Sequence, residues 1–122
     1  MTENTIQSYL EGLQSGDLET TLALFSENAI IHSPLYGEVL AGNFYKDLFG
    51  DTNQSEITLH GVYIGQNPMT ASCHFEYRWT LANGEKTTFE CIDLFEFDEN
   101  GKIKMLKIIY DTFQTRKVFD TL

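Results

Sequence analysis

One acidic side chain lies within the most apolar row of the strand predicted over residues 87–97. Successive residues of a strand point to opposite faces, and the odd-numbered row holds Phe89, Cys91, Asp93, Phe95 and Phe97. An ionised carboxylate in such surroundings is costly, so it is usually paired, hydrogen-bonded or kept protonated. We therefore expect Asp93 to face inward, where a neutral carboxyl group can donate a hydrogen bond.

The composition limits the functions that the chain can have. With 122 residues, 42% of them hydrophobic, and 9 Phe, 6 Tyr and 1 Trp, it suits a single domain, residues 1–122, whose aromatic side chains could line a pocket. The formal net charge of -10 argues against nucleic acid and anionic membrane as partners. The N-terminus has no basic segment followed by an apolar run, and no apolar stretch approaches about 18 residues, so we predict a soluble cytoplasmic protein.

The cysteine and histidine residues give no sign of a metal centre. Cys73 and Cys91 are the two cysteines, and we predict buried thiols rather than a disulfide. His32, His60 and His74 are interpreted as structural or surface side chains, because no two have the close spacing that a zinc site favours. The sequence contains no nucleophile elbow, phosphate loop or zinc motif. We therefore predict no metal and no cofactor.

Helices are predicted in the first half of the chain. One amphipathic helix, with an N-cap at Asn4 and a stop at Gly16, has an apolar face formed by Ile6, Tyr9, Leu10 and Leu13. Asp17 is placed to cap a second, short helix. The apolar stripe of that helix is Leu18, Leu22 and Phe25.

A short strand and a third helix follow before the sheet begins. The strand is predicted from Ala29 to Ser33, where Pro34 ends it. The third helix is expected over residues 43–49, and Gly50 and Asp51 end it. It should bury Phe44, Tyr45, Leu48 and Phe49.

The remainder of the chain is predicted to be sheet. Its β-branched and aromatic segments cover residues 56–66, 70–81, 86–97 and 102–114. They are separated by turn sequences at 67–68, 83–84 and 98–101. Short connections between long strands indicate an antiparallel meander. The expected fold is therefore α+β, with N-terminal helices packed in the concave face of a curved, mainly antiparallel sheet.

Two stretches carry a family resemblance. The first runs from Gln7-Ser8-Tyr9 through Gly16-Asp17 to Ser33-Pro34, and the second is Cys91-Ile92-Asp93-Leu94-Phe95 with the Asn100-Gly101-Lys102-Ile103 that follows. Together they resemble the bacterial ketosteroid isomerases and their SnoaL-like relatives of the nuclear transport factor 2-like (NTF2-like) superfamily. The resemblance implies a cone-shaped α+β barrel with an apolar pocket between helices and sheet. It also implies a homodimer formed through the outer sheet face.

The resemblance implies functional roles for Tyr9, Asp93 and the position of Ser33. Tyr9 matches the helix-borne tyrosine that donates a hydrogen bond to the substrate oxygen, and Asp93 matches the aspartic acid that donates the second. In ketosteroid isomerase an apolar site keeps such an acid neutral. Where the family carries the aspartate that moves the proton, this chain has Ser33, and a serine hydroxyl is too weak a base for carbon acids. The chain therefore departs from the family pattern at the base.

The predicted pocket combines these three residues with aromatic side chains. Its ligand-binding walls are predicted to be Phe25, Tyr45, Phe49, Phe75, Trp79, Cys91, Phe95 and Tyr110. By strand parity His32, His74, Glu76 and Asp111 point away from the pocket. If Ile57, Leu59 and Tyr63 line it, His60 lies outside. Glu38, predicted in a loop over the mouth, stays a candidate base.

Two functions of different classes are consistent with the sequence. The first is an isomerase or cyclase that binds a small, flat carbonyl or phenolic compound. In this reading Tyr9 and Asp93 stabilise an oxyanion, and Glu38, a water held by Ser33 or a group on the substrate moves the proton. The second is a ligand-binding or dimerisation module that keeps the cavity and has lost the base.

Simpler interpretations of the same residues also stand. Tyr9 could be a core tyrosine whose hydroxyl reaches a backbone carbonyl. Asp93 could be a structural carboxylate that binds Tyr9 or Trp79. Epoxide hydrolysis ranks low, because it needs an inward Asp-Arg-Asp arrangement and the chain offers only Arg78 and Arg116.

Overall fold

The computed structural model describes residues 2–122. The elements follow one another as α1 (Thr2–Ser15), α2 (Leu18–Leu22), β1 (Phe25–Ser33), β2 (Gly37–Leu40), α3 (Ala41–Gly50), β3 (Thr52–Ile64), β4 (Thr70–Leu81), β5 (Lys86–Phe97), β6 (Ile103–Ile109) and α4 (Phe113–Phe119). Across these residues, no helix combines the length and the apolar character needed to cross a membrane.

The strands form one six-stranded sheet in the order β2-β1-β6-β5-β4-β3. Strands β3 to β6 make the predicted antiparallel meander, and β1 joins the sheet parallel to β6. The sheet is curved but unclosed, with β2 and β3 at its edges, so the predicted barrel is open. The α+β prediction is confirmed, with α1 packed against β3 on the sheet.

Strict alternation along β4 and β5 fixes which side chains face the helices. Every second residue of β4 is buried, from Ala71 to Leu81, and the buried positions of β5 include Asp93. The register pairs Cys73 with Asp93 and Phe75 with Cys91. Both cysteines are buried and free, as predicted. The row that contains Asp93 therefore belongs to the core.

The helix boundaries differ from the predictions in part. The apolar face of α1 is confirmed, but α1 already includes Thr2, so the predicted N-cap at Asn4 is wrong. Asp17 caps α2 as predicted, because its Oδ1 accepts a hydrogen bond of 3.1 Å from the Thr20 backbone N–H. The predicted stripe of α2 is wrong. Leu18 is exposed and Phe25 begins β1, and Thr21 is the buried residue of α2.

The bounds of β1 and β3 differ from those predicted, and β2 is an additional strand. β1 begins at Phe25 rather than Ala29, and Asn28, with φ 65°, lies in a break of its register with β6. β2 was not predicted, and it pairs back onto β1 through a turn that contains Pro34. The third helix spans Ala41–Gly50, and β3 spans Thr52–Ile64 rather than 56–66.

The last predicted strand is too long. β6 ends at Ile109, and residues 113–119 form α4 instead of continuing the sheet. Asp111 contributes to this change of direction, because its Oδ1 accepts a hydrogen bond of 2.9 Å from the Phe113 backbone N–H. A side chain that satisfies a backbone donor two residues ahead stabilises a turn in place of a strand.

Gly12 is required where α1 meets α2. A Cβ at this position would lie 2.5 Å from Thr21 Oγ1. We expect Gly12→Ala to lower the free energy of unfolding by about 1–3 kcal/mol through overpacking, although alanine is the better helix former. In a Thr21→Ala background the same substitution should be neutral or stabilising. Urea denaturation of the double-mutant cycle measures this coupling, and an equal penalty in both backgrounds would contradict it.

Candidate functional site

A cavity of about 50 Å³ lies between the helices and the inner face of the sheet. Tyr9, Ser33 and Asp93 all contribute to its wall. The remaining wall residues are Leu13, Leu35, Tyr36, Phe44, Leu48, Phe75, Tyr77, Trp79, Phe89, Cys91, Ile108 and Tyr110. Pockets for drug-sized ligands usually measure about 300–1,000 Å³, so this cavity has room only for a small chemical group.

Asp93 is held inside this wall by the alternation of β5. The residue is 1% exposed, and its Oδ1 accepts a hydrogen bond of 3.2 Å from the Cys91 thiol. Burial raises the pKa of Asp93 from its ordinary value of 3.8 to about 7, and the thiol hydrogen bond opposes that rise. The carboxyl group is therefore largely neutral below pH 7 and can then donate a hydrogen bond.

Tyr9 reaches the cavity from the buried face of α1. Its hydroxyl lies 2.7 Å from the hydroxyl of Tyr45 on α3, and either oxygen can be the donor. Burial, Tyr45 and the charge of Asp93 raise the pKa of Tyr9 well above its ordinary value, so both phenols stay protonated. When Tyr45 donates to Tyr9, the Tyr9 proton is free for another acceptor.

The two simpler interpretations of this pair do not match the contacts. Tyr9 bonds to a tyrosine hydroxyl and not to a backbone carbonyl. The Trp79 indole N–H donates to Thr52 Oγ1 at 2.8 Å, and the hydrogen bond to Asp93 comes from Cys91. The expectation that Asp93 binds Tyr9 or Trp79 is therefore wrong.

Ser33 organises the turn that follows β1. Its Oγ accepts hydrogen bonds of 3.1 Å from the backbone N–H groups of Leu35 and Tyr36. Both contacts use the oxygen as an acceptor, so the hydroxyl proton stays available to a ligand or water in the cavity. Ser33 can therefore donate a hydrogen bond here, but it supplies no base.

The predicted ligand-binding residues divide into two groups. Phe75, Trp79, Cys91 and Tyr110 line the cavity. The other four do not line it, so their predicted place in the wall is wrong: one is Tyr45, and the remaining three pack on Tyr9 or Tyr45. These four are Phe25, Tyr45, Phe49 and Phe95.

Several wall residues were not among the predicted site residues. The Tyr36 hydroxyl donates to Asp51 Oδ2 at 2.7 Å, and Tyr36 lies in a turn that no periodic pattern identifies. Phe89 stacks on Tyr110 with ring centroids 3.8 Å apart. The parity of β5, which places Phe89 and Asp93 on one face, could have identified it.

The alternative proton carriers lie outside the cavity. Glu38 belongs to β2 rather than to a loop over the mouth, and its carboxylate lies 3.5 Å from His32 Nδ1. Its side chain is 68% exposed. Leu59 and Tyr63 are also exposed, and neither they nor Ile57 line the cavity, so the condition used to place His60 is not met.

A bulge in β3 shifts the pairing between Leu59 and Gly61. His60 lies at this bulge, and its ring lies 4.9 Å from the ring of His74, so two histidines that are distant in sequence are neighbours in space. His74 Nε2 lies 2.9 Å from Glu90 Oε1. Among residues 2–122, however, no set of three or more His, Cys, Asp or Glu side chains could hold a metal ion.

Both arginines lie away from the cavity wall. Arg78 pairs with Glu56 and Glu76, at 3.7 and 3.5 Å. Arg116 Nη2 donates to the Pro34 carbonyl at 2.7 Å. The inward Asp-Arg-Asp arrangement of an epoxide hydrolase is therefore not formed by the described residues.

The curved sheet, the packed α1 and the enclosed carboxyl group define an NTF2-like α+β protein. Residues 6–105 match the SnoaL-like domain, so the chain belongs to that family. It is similar in structure to an NTF2-like protein of unknown function from Burkholderia pseudomallei, with a TM-score of 0.80, 16% identity and 95% of each chain covered.

Two further similar structures have names that refer to ring formation or cleavage. SalBIII, an epoxide hydrolase/cyclase-like enzyme of pyran ring formation in salinomycin, has a TM-score of 0.77 and 17% identity, with 90% of each chain covered. A protein proposed to be a polyketide cyclase, from a Silicibacter species, has a TM-score of 0.76 and 15% identity, with 95% of this chain and 93% of that chain covered. At these identities the likeness establishes the fold.

The raised pKa of Asp93 makes stability depend on pH. Between about pH 4 and pH 7 the folded state keeps a proton that the unfolded state has lost, so stability falls as pH rises and levels off above about 7. The total loss is about 4 kcal/mol, at ~1.4 kcal/mol per pKa unit. Asp93→Asn should remove this loss. From about pH 5 to about pH 8, urea unfolding should show the free energy of unfolding of the wild type falling by about 3 kcal/mol relative to that of the variant.

Asp47→Asn is the matched control for this experiment. Asp47 is an exposed acid on α3, so its loss should leave the pH dependence of the wild type unchanged. If Asp93→Asn and Asp47→Asn behave alike, the carboxyl group of Asp93 does not titrate in the way its burial requires.

Proposed function

We propose that the protein binds a small carbonyl or phenolic compound whose oxygen lies between Tyr9 and Asp93. The observation that carries this proposal is the position of a buried, largely neutral carboxyl group in the same cavity wall as a protonated phenol. Two donors aimed at one oxygen stabilise negative charge as it develops there, and the effect is larger in a dry site. The pair would act as an oxyanion hole.

The size of the cavity restricts the ligand. A volume of about 50 Å³ admits a carbonyl group with a few neighbouring atoms, and a larger molecule must extend through the mouth or displace the wall. Phe75, Phe89 and Tyr110 supply flat surfaces for a conjugated ligand. These features favour a planar enol, enone or phenol over a saturated polycycle.

An isomerase or cyclase activity is the finer form of the proposal. Both reactions pass through an enolate or a related oxyanion, which Tyr9 and Asp93 would stabilise. The proton is moved by a water bound to Ser33 or by a group of the substrate itself, because the base that the family carries at the position of Ser33 is missing. The names of SalBIII and of the proposed polyketide cyclase support chemistry of this class.

Binding without catalysis is the second candidate. Its specific support is the turn at Ser33, where the hydroxyl oxygen already accepts two backbone hydrogen bonds and cannot remove a proton from carbon. A protein of this kind would retain the donors and the cavity and release its ligand unchanged. Turnover of a β,γ-unsaturated ketone, followed by absorbance of the conjugated product, separates the two candidates.

Binding of pentafluorophenol, which is ionised throughout the range used, tests the donor pair. Asp93 donates a hydrogen bond to the phenolate only when its carboxyl group is protonated, so affinity should fall about tenfold per pH unit above about pH 7. Asp93→Leu and Tyr9→Phe should each weaken binding about 10- to 100-fold, the worth of one hydrogen bond to a charged acceptor. Isothermal titration calorimetry at about pH 6 and about pH 8 measures both effects.

Two further variants serve as controls for the phenol experiment. Asp93→Asn keeps an N–H donor that does not titrate, so its affinity should stay constant across the pH range. Ser33→Ala should change affinity less than Asp93→Leu. Equal affinity of the wild type at both pH values, together with an unaffected Asp93→Leu variant, would contradict the oxyanion hole.

We also propose that the protein forms a homodimer through the outer face of the sheet. Apolar side chains from three strands are exposed there. They are Tyr63 at 57%, Ile92 at 41%, Leu94 at 37% and Ile109 at 45%. Clustered apolar side chains on a protein surface commonly mark an interface, and an isologous contact would bury this face on both copies.

Sedimentation velocity tests the dimer. The wild type should sediment as a dimer, and Leu94→Lys should shift it towards the monomer, because the lysine charge would be buried at the interface. Leu18→Lys is the matched control, since Leu18 is 36% exposed but lies on α2. A monomeric wild type, or a dimer that Leu94→Lys leaves intact, would contradict this arrangement.

A further inference from the structure

Phe119, on the C-terminal helix α4, supports two residues of the cavity wall from behind. Its ring packs edge-on against Tyr36, with centroids 5.3 Å apart, and tilted against Trp79 at 6.3 Å. Tyr36 and Trp79 both line the cavity, whereas Phe119 does not. Phe119 therefore contacts two wall residues without lining the cavity itself.

The position of α4 depends on a small set of contacts with the rest of the chain. Arg116 donates to the carbonyl of Pro34, next to Ser33, and Thr115 Oγ1 lies 3.1 Å from Thr87 Oγ1 in the core. The helix has seven residues and its N-cap, Thr112, makes no side-chain hydrogen bond. Helices of this length are unstable alone in water. The tertiary contacts therefore determine whether α4 stays in place.

The cavity is too small for one aromatic ring while α4 is in place. An apolar protein cavity that binds benzene measures about 150 Å³, three times the value of about 50 Å³ found here. A ring that does not extend through the mouth can be accommodated only if part of the wall gives way. Tyr36 and Trp79 are candidates for this movement, because the ring that packs on both of them, Phe119, belongs to a short helix.

We infer that α4 is the movable wall of this cavity and that Phe119 is the side chain that sets the size of ligand admitted. The inference rests on the proposed ligand site and adds to it the residue that determines specificity. The hydrogen bond from Arg116 to the Pro34 carbonyl holds α4 against the turn that follows β1. Release of this hydrogen bond and withdrawal of Phe119 leave one side-chain hydrogen bond on each ring, from Tyr36 to Asp51 and from Trp79 to Thr52. When these bonds also open, the two rings can move away from the cavity and enlarge it.

The extent of the family match supports a role in specificity. The match covers residues 6–105 and so includes Tyr36 and Trp79, while α4 lies outside it. The donors Tyr9 and Asp93 and most of the wall thus belong to the matched part of the chain, whereas the wall residues Ile108 and Tyr110 lie beyond it. The element that holds two of those walls in place belongs to the part beyond the match.

The two cysteines provide a test that needs no ligand. Cys91 lines the cavity and Cys73 is buried beside it, so a Cys73→Ala background leaves Cys91 as the one thiol. In that background the rate of alkylation by iodoacetamide reports opening of the cavity. Phe119→Ala should raise this rate about tenfold or more, because it removes two aromatic contacts. Arg116→Gln should raise the rate by a smaller factor.

Two controls separate local opening from other effects. Phe113→Ala removes a ring of the same helix that is 64% exposed and does not contact the wall, so the rate should not change. Ile103→Val lowers global stability without touching α4. If Ile103→Val raises the rate as much as Phe119→Ala does, Cys91 reacts through global unfolding and the inference is wrong. An unchanged rate in Phe119→Ala also overturns it.

Ligand size gives a second measurement. Phe119→Ala should improve the affinity for 2-naphthol more than for phenol, by about tenfold in the ratio of the two dissociation constants. An unchanged ratio, with both ligands bound, would refute the role of Phe119 in specificity. If neither ligand binds but Cys91 becomes reactive, the movable wall is real and the proposed function is wrong. The two failures can therefore be distinguished.

Discussion

The site depends on the burial of one carboxyl group, that of Asp93, in a wall of aromatic side chains. Its Oδ1 accepts a hydrogen bond from the Cys91 thiol, which is a weak donor and does not compensate an ionised carboxylate fully. The group therefore holds its proton to near neutral pH. A neutral acid is compatible with a dry cavity, whereas a charged one would attract water into it.

The hydroxyl groups around Asp93 strengthen this character. Burial raises the pKa of Tyr9, Tyr45 and Tyr77, so each keeps its proton. All three take part in short hydroxyl pairs between different elements, Tyr9 with Tyr45 and Tyr77 with Ser55, both at 2.7 Å. The cavity thus presents hydrogen-bond donors on apolar walls, which suits an oxygen acceptor better than a cation.

Sequence periodicity predicted the parts of the fold whose side chains alternate strictly. β4 and β5 have their predicted bounds, and their parity brings Asp93 into the core. Prediction was wrong at the end of the chain for two reasons. The local hydrogen bond from the Phe113 backbone N–H to Asp111 forms a turn after β6, and tertiary contacts of Thr115 and Phe119 hold α4 in place of a strand. Tyr36 was missed because it lies in a turn, where side chains follow no periodic pattern.

The energetic cost of Asp93 argues for a chemical role rather than a packing role. Above about pH 7 its burial removes about 4 kcal/mol of stability relative to an unshifted carboxyl group. That is a large part of the ~5–15 kcal/mol by which a domain is stable. Leucine or asparagine would fill nearly the same volume without this penalty. Neither Tyr9 nor Trp79 uses the carboxyl group as a partner, and the Cys91 thiol is a weak donor, so the contacts within the core do not offset this cost. The ligand proposed for the cavity would offset it.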